Sequence, residues 1–172
     1  MGAENRRGQQ HLRVGIELGP DDVRVDRMWV VDQPAVQSSR LAGPIVVRVE
    51  TGGRTALVQS FPDPRVTRST ASDERGHHYG RSDSGTLVVS VPFSSADELA
   101  DVRVSLADTV DVREKPTAPH EVPAMFDERP AGMGRVLELS SADLRRSRDW
   151  DEVATQLGLA GGQGGAGGGG GR

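Results

Sequence analysis

Residues 44–61, PIVVRVETGGRTALVQSF, alternate apolar and polar side chains on both sides of a Gly52-Gly53 pair. A period of two is the pattern of a β-strand with one buried face, and two glycines between two such runs predict a hairpin. Glycine has no Cβ and adopts the positive φ that both central residues of a tight hairpin turn require. A two-residue turn predicts the pairs Val49 with Ala56, Val47 with Val58 and Ile45 with Ser60, leaving Arg48 and Leu57 on the opposite face.

Runs with the same period predict four further strands, at residues 12–18, 23–31, 87–91 and 102–106, with turn residues and prolines between them. Two shorter strands are expected, an edge strand at residues 66–69 and a last strand at residues 135–139. We expect the strands at 87–91 and 102–106 to form a second buried pair, and residues 110–112 to extend the sheet or begin an edge. Many short strands, with helix only near the C-terminal end, favour a mainly β fold.

The strand pattern indicates an antiparallel β-sandwich of immunoglobulin-like architecture, with a jelly roll or an open barrel as the alternative. The chain has no cysteine, so the Cys-Trp-Cys signature of true immunoglobulin domains is absent and the term describes architecture alone.

Strand 23–31 changes its inward-facing parity near Asp26-Arg27, which predicts a β-bulge there. Trp29 stands next to Val30 and Val31, and we expect it to pack in the core. The alternative is an exposed anchor for a partner.

The predicted organisation follows shifts in composition along the chain. We expect residues 1–10 to be disordered, 11–113 to form the β-sandwich domain and 114–134, with four prolines, to be an extended strap without regular structure. Residues 135–159 supply the last strand and a C-terminal helical segment, and the glycine-rich tail 160–172 is expected to be disordered.

Two local patterns refine the C-terminal half. Met125-Phe126 is an apolar pair that we expect to pin the strap to the domain surface. Ser140 with Asp143, and Asp149 with Glu152, have the spacing of capping boxes and predict two short helices or one bent helix. In the second helix the apolar residues recur at helical spacing, at Trp150, Val153, Ala154 and Leu157.

Composition narrows the possible partners. The 172 residues carry 21 basic and 25 acidic side chains, a net charge of −4, which argues against a protein that tracks nucleic-acid phosphates. The absence of cysteine excludes disulfides and thiolate chemistry. Residues 1–10 lack the apolar segment of a signal peptide and no run is long enough to span a bilayer, so we expect a cytoplasmic protein that binds neither nucleic acid nor membrane.

The long polar segment 70–84 is the candidate binding site. It shows no apolar periodicity, and long loops of this kind often carry function. Its cationic and aromatic side chains suggest a site for phosphate or a partner's carboxylates, with the candidate binding residues Arg75, His77, His78, Tyr79 and Arg81. No metal or cofactor is assigned, because adjacent histidines do not have metal-ligand spacing.

No catalytic motif is present, and no residue is assigned a catalytic role. A nucleophile elbow, a Walker loop and a Rossmann fingerprint are all missing. The leading hypothesis is therefore a non-enzymatic interaction module that binds a protein partner through its loops and C-terminal helix. Two alternatives stay open: a metal-dependent or hydrolytic enzyme that uses the 73–83 loop, and a carrier for a processed or tethering glycine-rich tail.

Overall fold

The computed structural model of the chain describes residues 10–68 and 79–159. The predicted disordered tail at 160–172, and all but Gln10 of the predicted disordered N-terminus, lie outside these residues. The described residues form nine strands, β1 (His11–Leu18), β2 (Val23–Val31), β3 (Ile45–Thr51), β4 (Arg54–Phe61), β5 (Val66–Arg68), β6 (Tyr79–Arg81), β7 (Gly85–Pro92), β8 (Arg103–Asp108) and β9 (Leu137–Ser140). They also form three α-helices, α1 (Val122–Glu128), α2 (Ser141–Arg146) and α3 (Trp150–Gln156), with 3₁₀ helices at Ala96–Asp101 and Pro119–Glu121.

The strands form three antiparallel sheets, and the predicted mainly β fold is confirmed. One sheet has the order β2-β1-β7, the second has the order β4-β3-β8-β9, and β5 pairs with β6 alone. None of the three closes into a barrel. The predicted pairing of strands 87–91 and 102–106 is wrong, because β7 pairs with β1 whereas β8 pairs with β3 and β9. Strand periodicity identifies a buried face but does not specify which strand lies alongside.

The β3–β4 hairpin forms around Gly52 and Gly53, with φ of 57° and 72°. The three predicted pairs, Val49 with Ala56, Val47 with Val58 and Ile45 with Ser60, are all wrong by one residue. Glu50 pairs with Thr55 and Val49 with Leu57, so Ala56 is an extra residue in β4. This irregularity reverses the facing of the rest of the strand. Consequently Leu57 joins the core beside Val49, and Val58 turns to the opposite face.

The turn gives a stability prediction. Gly53→Ala should lower the free energy of unfolding by about 1 kcal/mol, because an alanine at φ of 72° brings Cβ close to its own carbonyl oxygen. Outside residue 53 and its two chain neighbours, no heavy atom lies within 4 Å of a Cβ built at this position, so the cost comes from the local backbone conformation and not from a tertiary clash. Chemical denaturation checks this, with Gly53→Asn as the control, since asparagine tolerates the left-handed conformation. Equal stability of the alanine variant and the wild type would contradict the turn geometry.

The predicted bulge in β2 is confirmed. Gly15 of β1 pairs with Arg27 and Ile16 pairs with Val25, so Asp26 is the unpaired residue. The expectation that Trp29 packs in the core is wrong: Met28 is buried and Trp29 is 38% exposed, with the Arg27 guanidinium 5.6 Å from its ring centre. After the bulge Met28 faces the core, and because successive side chains of a strand point to opposite faces, Trp29 faces outward.

The main core contains side chains from both larger sheets. Leu12, Val14 and Ile16 of β1 pack in one cluster with Val47 and Val49 of β3. Leu144 of α2 and Val153 of α3 belong to the same cluster and are about 1% exposed or less. The C-terminal helices are therefore part of the core. A second cluster covers the other face of the four-stranded sheet, with Val46, Val58 and Ala107 packed against Val122, Met125 and Phe126 of α1.

Helix α1 corrects the expectation that residues 114–134 lack regular structure. A proline is tolerated in the first turn of a helix, where its missing N–H has no intrahelical partner, and α1 has Pro123 there. The predicted role of Met125 and Phe126 is confirmed, since both are 7% exposed and pack on the four-stranded sheet. Residues 110–112 form no strand; Val112 is buried and Val110 is exposed.

Of the two predicted capping boxes, the first is confirmed and the second is wrong. At the start of α2, Asp143 Oδ2 accepts hydrogen bonds from Ser140 N (2.8 Å) and Ser140 Oγ (2.7 Å). The Asp149 side chain caps no helix. Its Oδ2 accepts a hydrogen bond from the backbone N–H of Met28 at 2.8 Å, so the carboxylate satisfies a backbone donor on the outer edge of β2. An edge strand covered in this way offers fewer free groups for pairing with another chain.

Candidate functional site

Two of the five predicted binding residues lie within the described part of the chain. Tyr79 and Arg81 are in β6, whereas Arg75, His77 and His78 lie outside the described residues. The segment 70–84 is not a loop throughout, because β6 pairs with β5 to make a two-stranded ribbon. Three-residue strands are too short to show a clear period, which is why β6 escaped the sequence pattern.

One face of the ribbon carries both predicted residues. Val66 pairs with Arg81, and Tyr79 lies two residues before Arg81 on the same strand. Cross-strand partners and residues two apart lie on the same side of a sheet. Tyr79 is 69% exposed and Val66 is 43% exposed, so this face is open to solvent and partly apolar.

The ribbon is attached where both larger sheets end. A Cβ built on Gly85, the first residue of β7, would lie 2.3 Å from the carbonyl oxygen of Pro64. The chain entering β5 therefore crosses β7 at a distance that only glycine permits. Ser82 N donates to Arg65 O at 2.8 Å, which continues the ribbon ladder to this crossing.

A buried ion pair anchors the segment between β4 and β5. Arg65 Nε and Nη2 donate to Asp63 Oδ1 and Oδ2 at 2.9 and 3.0 Å, and Arg65 N also donates to Oδ1 at 3.0 Å. The two side chains are only 10% and 9% exposed. Arg65 Nη1 donates to Gly19 O at 3.3 Å, and Nη2 lies 3.6 Å from Asp108 Oδ2. The pair thus connects the ribbon to the β1–β2 turn and to the end of β8.

The ion pair shifts the ionisation of both partners. Hydrogen bonds from the Arg65 side chain hold the pKa of Asp63 below its usual value, and the backbone N–H of Arg65 and the charge of Arg81 act in the same direction. The hydrogen bond to Asp63 raises the pKa of Arg65. Both groups are therefore charged at neutral pH.

An open cleft of about 510 Å³ lies beside the ribbon. Its apolar lining is Pro44, Pro62, Val66 and Val110, and its charged lining is Asp63, Arg81, Asp108 and Asp111. Arg81 Nη2 is 3.9 Å from Asp63 Oδ2, and its side chain is 68% exposed. We call Val66, Tyr79, Arg81 and Val110 the ribbon surface. It presents two exposed valines, one exposed tyrosine and one accessible guanidinium.

The sequence pattern missed most of this site. Asp63, Arg65, Val66 and Val110 were not predicted as site residues, although the run Pro62-Asp63-Pro64-Arg65 contains a usable signal. An aspartate between two prolines favours a turn in which its carboxylate accepts the N–H two residues on. Here that N–H belongs to Arg65, whose side chain returns to the same carboxylate.

Neither the metal-ligand groups and helices of the described residues nor the comparisons with known proteins indicate a function. Within residues 10–68 and 79–159, no three His, Asp or Glu side chains are grouped as metal ligands, and no helix has the length and apolar character needed to cross a membrane. The chain shows no significant match to a protein-family model, a curated protein or a solved structure.

Proposed function

We propose that this chain is a non-enzymatic interaction module that binds a protein partner at the ribbon surface. The scaffold is an antiparallel β-sandwich of immunoglobulin-like architecture in the cytoplasm. The shared core of the two larger sheets supports a sandwich, and their three and four strands equal the strand count of the smaller immunoglobulin domains. The C-terminal helices bury their apolar faces in that core, so the proposed binding role passes to the ribbon.

The observation that carries the proposal is the exposure of apolar side chains at one place. Val110 is 54% exposed beside Val66, and Tyr79 extends the same surface along the ribbon. Tyrosine and arginine are enriched at protein interfaces, because each combines a large contact area with directional hydrogen bonding. A rigid base under the ribbon, supplied by the Asp63–Arg65 pair, limits the entropy lost when a partner binds.

Charge indicates what the partner presents. Within the part of the chain that the structure describes, Arg81 has one long contact with Asp63, whose two oxygens already accept from Arg65, so most of its five N–H donors have no partner there and can serve a ligand. The proposed partner is a protein with an apolar segment and a carboxylate that meets Arg81.

Quantitative capture from the native host tests the proposal. The full chain serves as bait in three forms: wild type, the double variant Tyr79→Ala with Val110→Asp, and Val36→Asp. Val36 is 77% exposed in the β2–β3 connection, so its variant is a matched control for adding charge at an exposed valine. We expect wild type and control to recover the same partner and the double variant to bind it at least about thirtyfold more weakly, since central interface residues contribute about 2 kcal/mol or more.

Two outcomes would count against the proposal. One is equal recovery of the partner by all three baits, which would move binding away from the ribbon. The other is the absence of any stoichiometric partner at low salt, where electrostatic contacts are strongest.

A further inference from the structure

A second, smaller cavity lies behind the ribbon, at the end of the core. Its volume is about 240 Å³, and its apolar walls are Leu18, Ile45, Leu106 and Leu137. These residues are the last of β1, the first of β3, one near the end of β8 and the first of β9. The cavity therefore opens between the ends of the two larger sheets, and we call it the end cavity. On about 30 Å³ per water-sized group it has room for roughly eight non-hydrogen atoms.

Charged side chains surround the apolar walls. Arg65, Arg81, Arg135 and Asp108 line the end cavity, and Asp63 is bound to Arg65 from outside it. Three guanidinium groups face two carboxylates, so these five side chains leave one net positive charge. A single anion placed here would neutralise it.

The hydrogen bonds show which guanidinium groups have donors to offer. Arg65 is engaged by Asp63 and by the carbonyl oxygen of Gly19. Arg135 Nη1 donates to the carbonyl oxygen of Asp21 at 3.1 Å, which holds the side chain at the β1–β2 turn without neutralising its charge. Among residues 10–68 and 79–159, Arg81 has only the 3.9 Å contact with Asp63. Arg135 and Arg81 are therefore the groups available to an anion.

We propose that the end cavity binds a small monocarboxylate with an unbranched apolar tail. The carboxylate is held by Arg81 and Arg135, because a guanidinium matches the planar geometry of a carboxylate, and the tail lies against the leucine and isoleucine walls. A pocket that is mostly apolar with a few convergent polar groups is the usual form of a small-molecule site. This site extends beyond the proposed partner binding, although Arg81 and Asp108 border both the cleft and the end cavity.

Titration of the full chain with hexanoate, followed by amide chemical shifts, tests the proposal. Hexanoate has eight non-hydrogen atoms; hexanamide has the same size without the charge, and acetate has the charge without the tail. We expect hexanoate to shift the amides of the end cavity and to bind about tenfold more tightly than either analogue, because a charge-assisted hydrogen bond is worth roughly that factor. Equal binding of hexanoate and hexanamide, or shifts confined to other regions, would overturn the assignment.

Variants separate this site from the ribbon surface. Arg135→Gln should weaken hexanoate binding by about tenfold, whereas Arg113→Gln, at an exposed arginine that does not line the cavity, should not change it. Leu137→Phe should obstruct the cavity. If Leu137→Phe does not fold, Arg135→Gln still decides, since Arg135 is exposed and outside the core clusters. Unchanged hexanoate binding by Arg135→Gln would refute the site. That result would leave the capture experiment with the Tyr79→Ala, Val110→Asp variant, and the proposed partner binding, untouched.

Discussion

Replacing Asp63 by alanine is expected to lower the free energy of unfolding by about 3 kcal/mol, because it leaves the buried guanidinium of Arg65 without its bidentate partner. Asp108, at 3.6 Å from Nη2, is too distant to replace two hydrogen bonds of 2.9 and 3.0 Å. Chemical denaturation of the variant measures the loss. Asp111→Ala is the matched control, since Asp111 lines the same cleft but is exposed, and its variant should stay within about 0.5 kcal/mol of wild type.

The double variant Asp63→Ala with Arg65→Met identifies the source of this loss. Removing both charges avoids the unpaired guanidinium, so the double variant should be more stable than Asp63→Ala alone. If the single and double variants were equally unstable, the destabilisation would come from the turn itself and not from the buried charge.

Acid should reveal the same pair. The pKa of Asp63 is depressed in the folded protein relative to about 3.9 in the unfolded chain, so its contribution to stability is complete above that unfolded value. The contribution is lost as the pH falls from about 4 through the folded pKa. Wild type should therefore lose stability over this range more steeply than Asp63→Ala. Parallel pH profiles for the two proteins would contradict the assigned ion pair.

Leu144→Ala is expected to cost about 3 kcal/mol, since Leu144 is fully buried and its removal leaves a cavity between α2 and the sheets. Arg145→Ala, at the next position and exposed on the same helix, should change the stability by less than about 0.5 kcal/mol. Thermal or chemical unfolding of the two variants makes the comparison. A small effect for Leu144→Ala would mean that α2 docks only loosely and is available for the partner binding that its sequence first suggested.

Local patterns predicted the strands better than their arrangement. The β3–β4 hairpin follows from two glycines with positive φ, and the β2 bulge follows from a change of parity that the strand cannot make otherwise. The bulge at Ala56 gave no such signal, because both Leu57 and Val58 are apolar and either can face the core. Which strands pair depends on contacts between residues distant in sequence, so the pairing of β7 with β1 could not be predicted from local patterns.

Contacts between distant parts of the chain also determined where helices form and how they are capped. The four prolines of residues 114–134 suggested an extended strap, yet α1 forms because Pro123 lies in its first turn and its apolar face has a sheet to cover. Asp149 has the spacing of a helix cap but bonds to Met28, which is 121 residues away in sequence. The Asp149 carboxylate can either cap the helix or bond to β2, and only the folded chain brings the second partner within reach.

The candidate site was predictable in part. Tyr79 and Arg81 were identified from the composition of a polar segment, and they lie together on one face of the ribbon. Val110 reaches the cleft from a separate part of the chain, as Arg135 reaches the end cavity, and no local pattern relates either residue to the ribbon. Val66 lies in the edge strand predicted at residues 66–69, but no pattern in the sequence predicted that its side chain is 43% exposed.

Site-specific photo-crosslinking in the native host tests the ribbon surface most directly. A benzophenone amino acid is placed at Tyr79, or at Val36 as the exposed control, in otherwise identical full chains. The proposed function predicts one discrete adduct of the chain with a partner protein from position 79, lost when Val110→Asp is added, and no such adduct from position 36. No adduct from position 79, or the same adducts from both positions, would contradict binding at this surface.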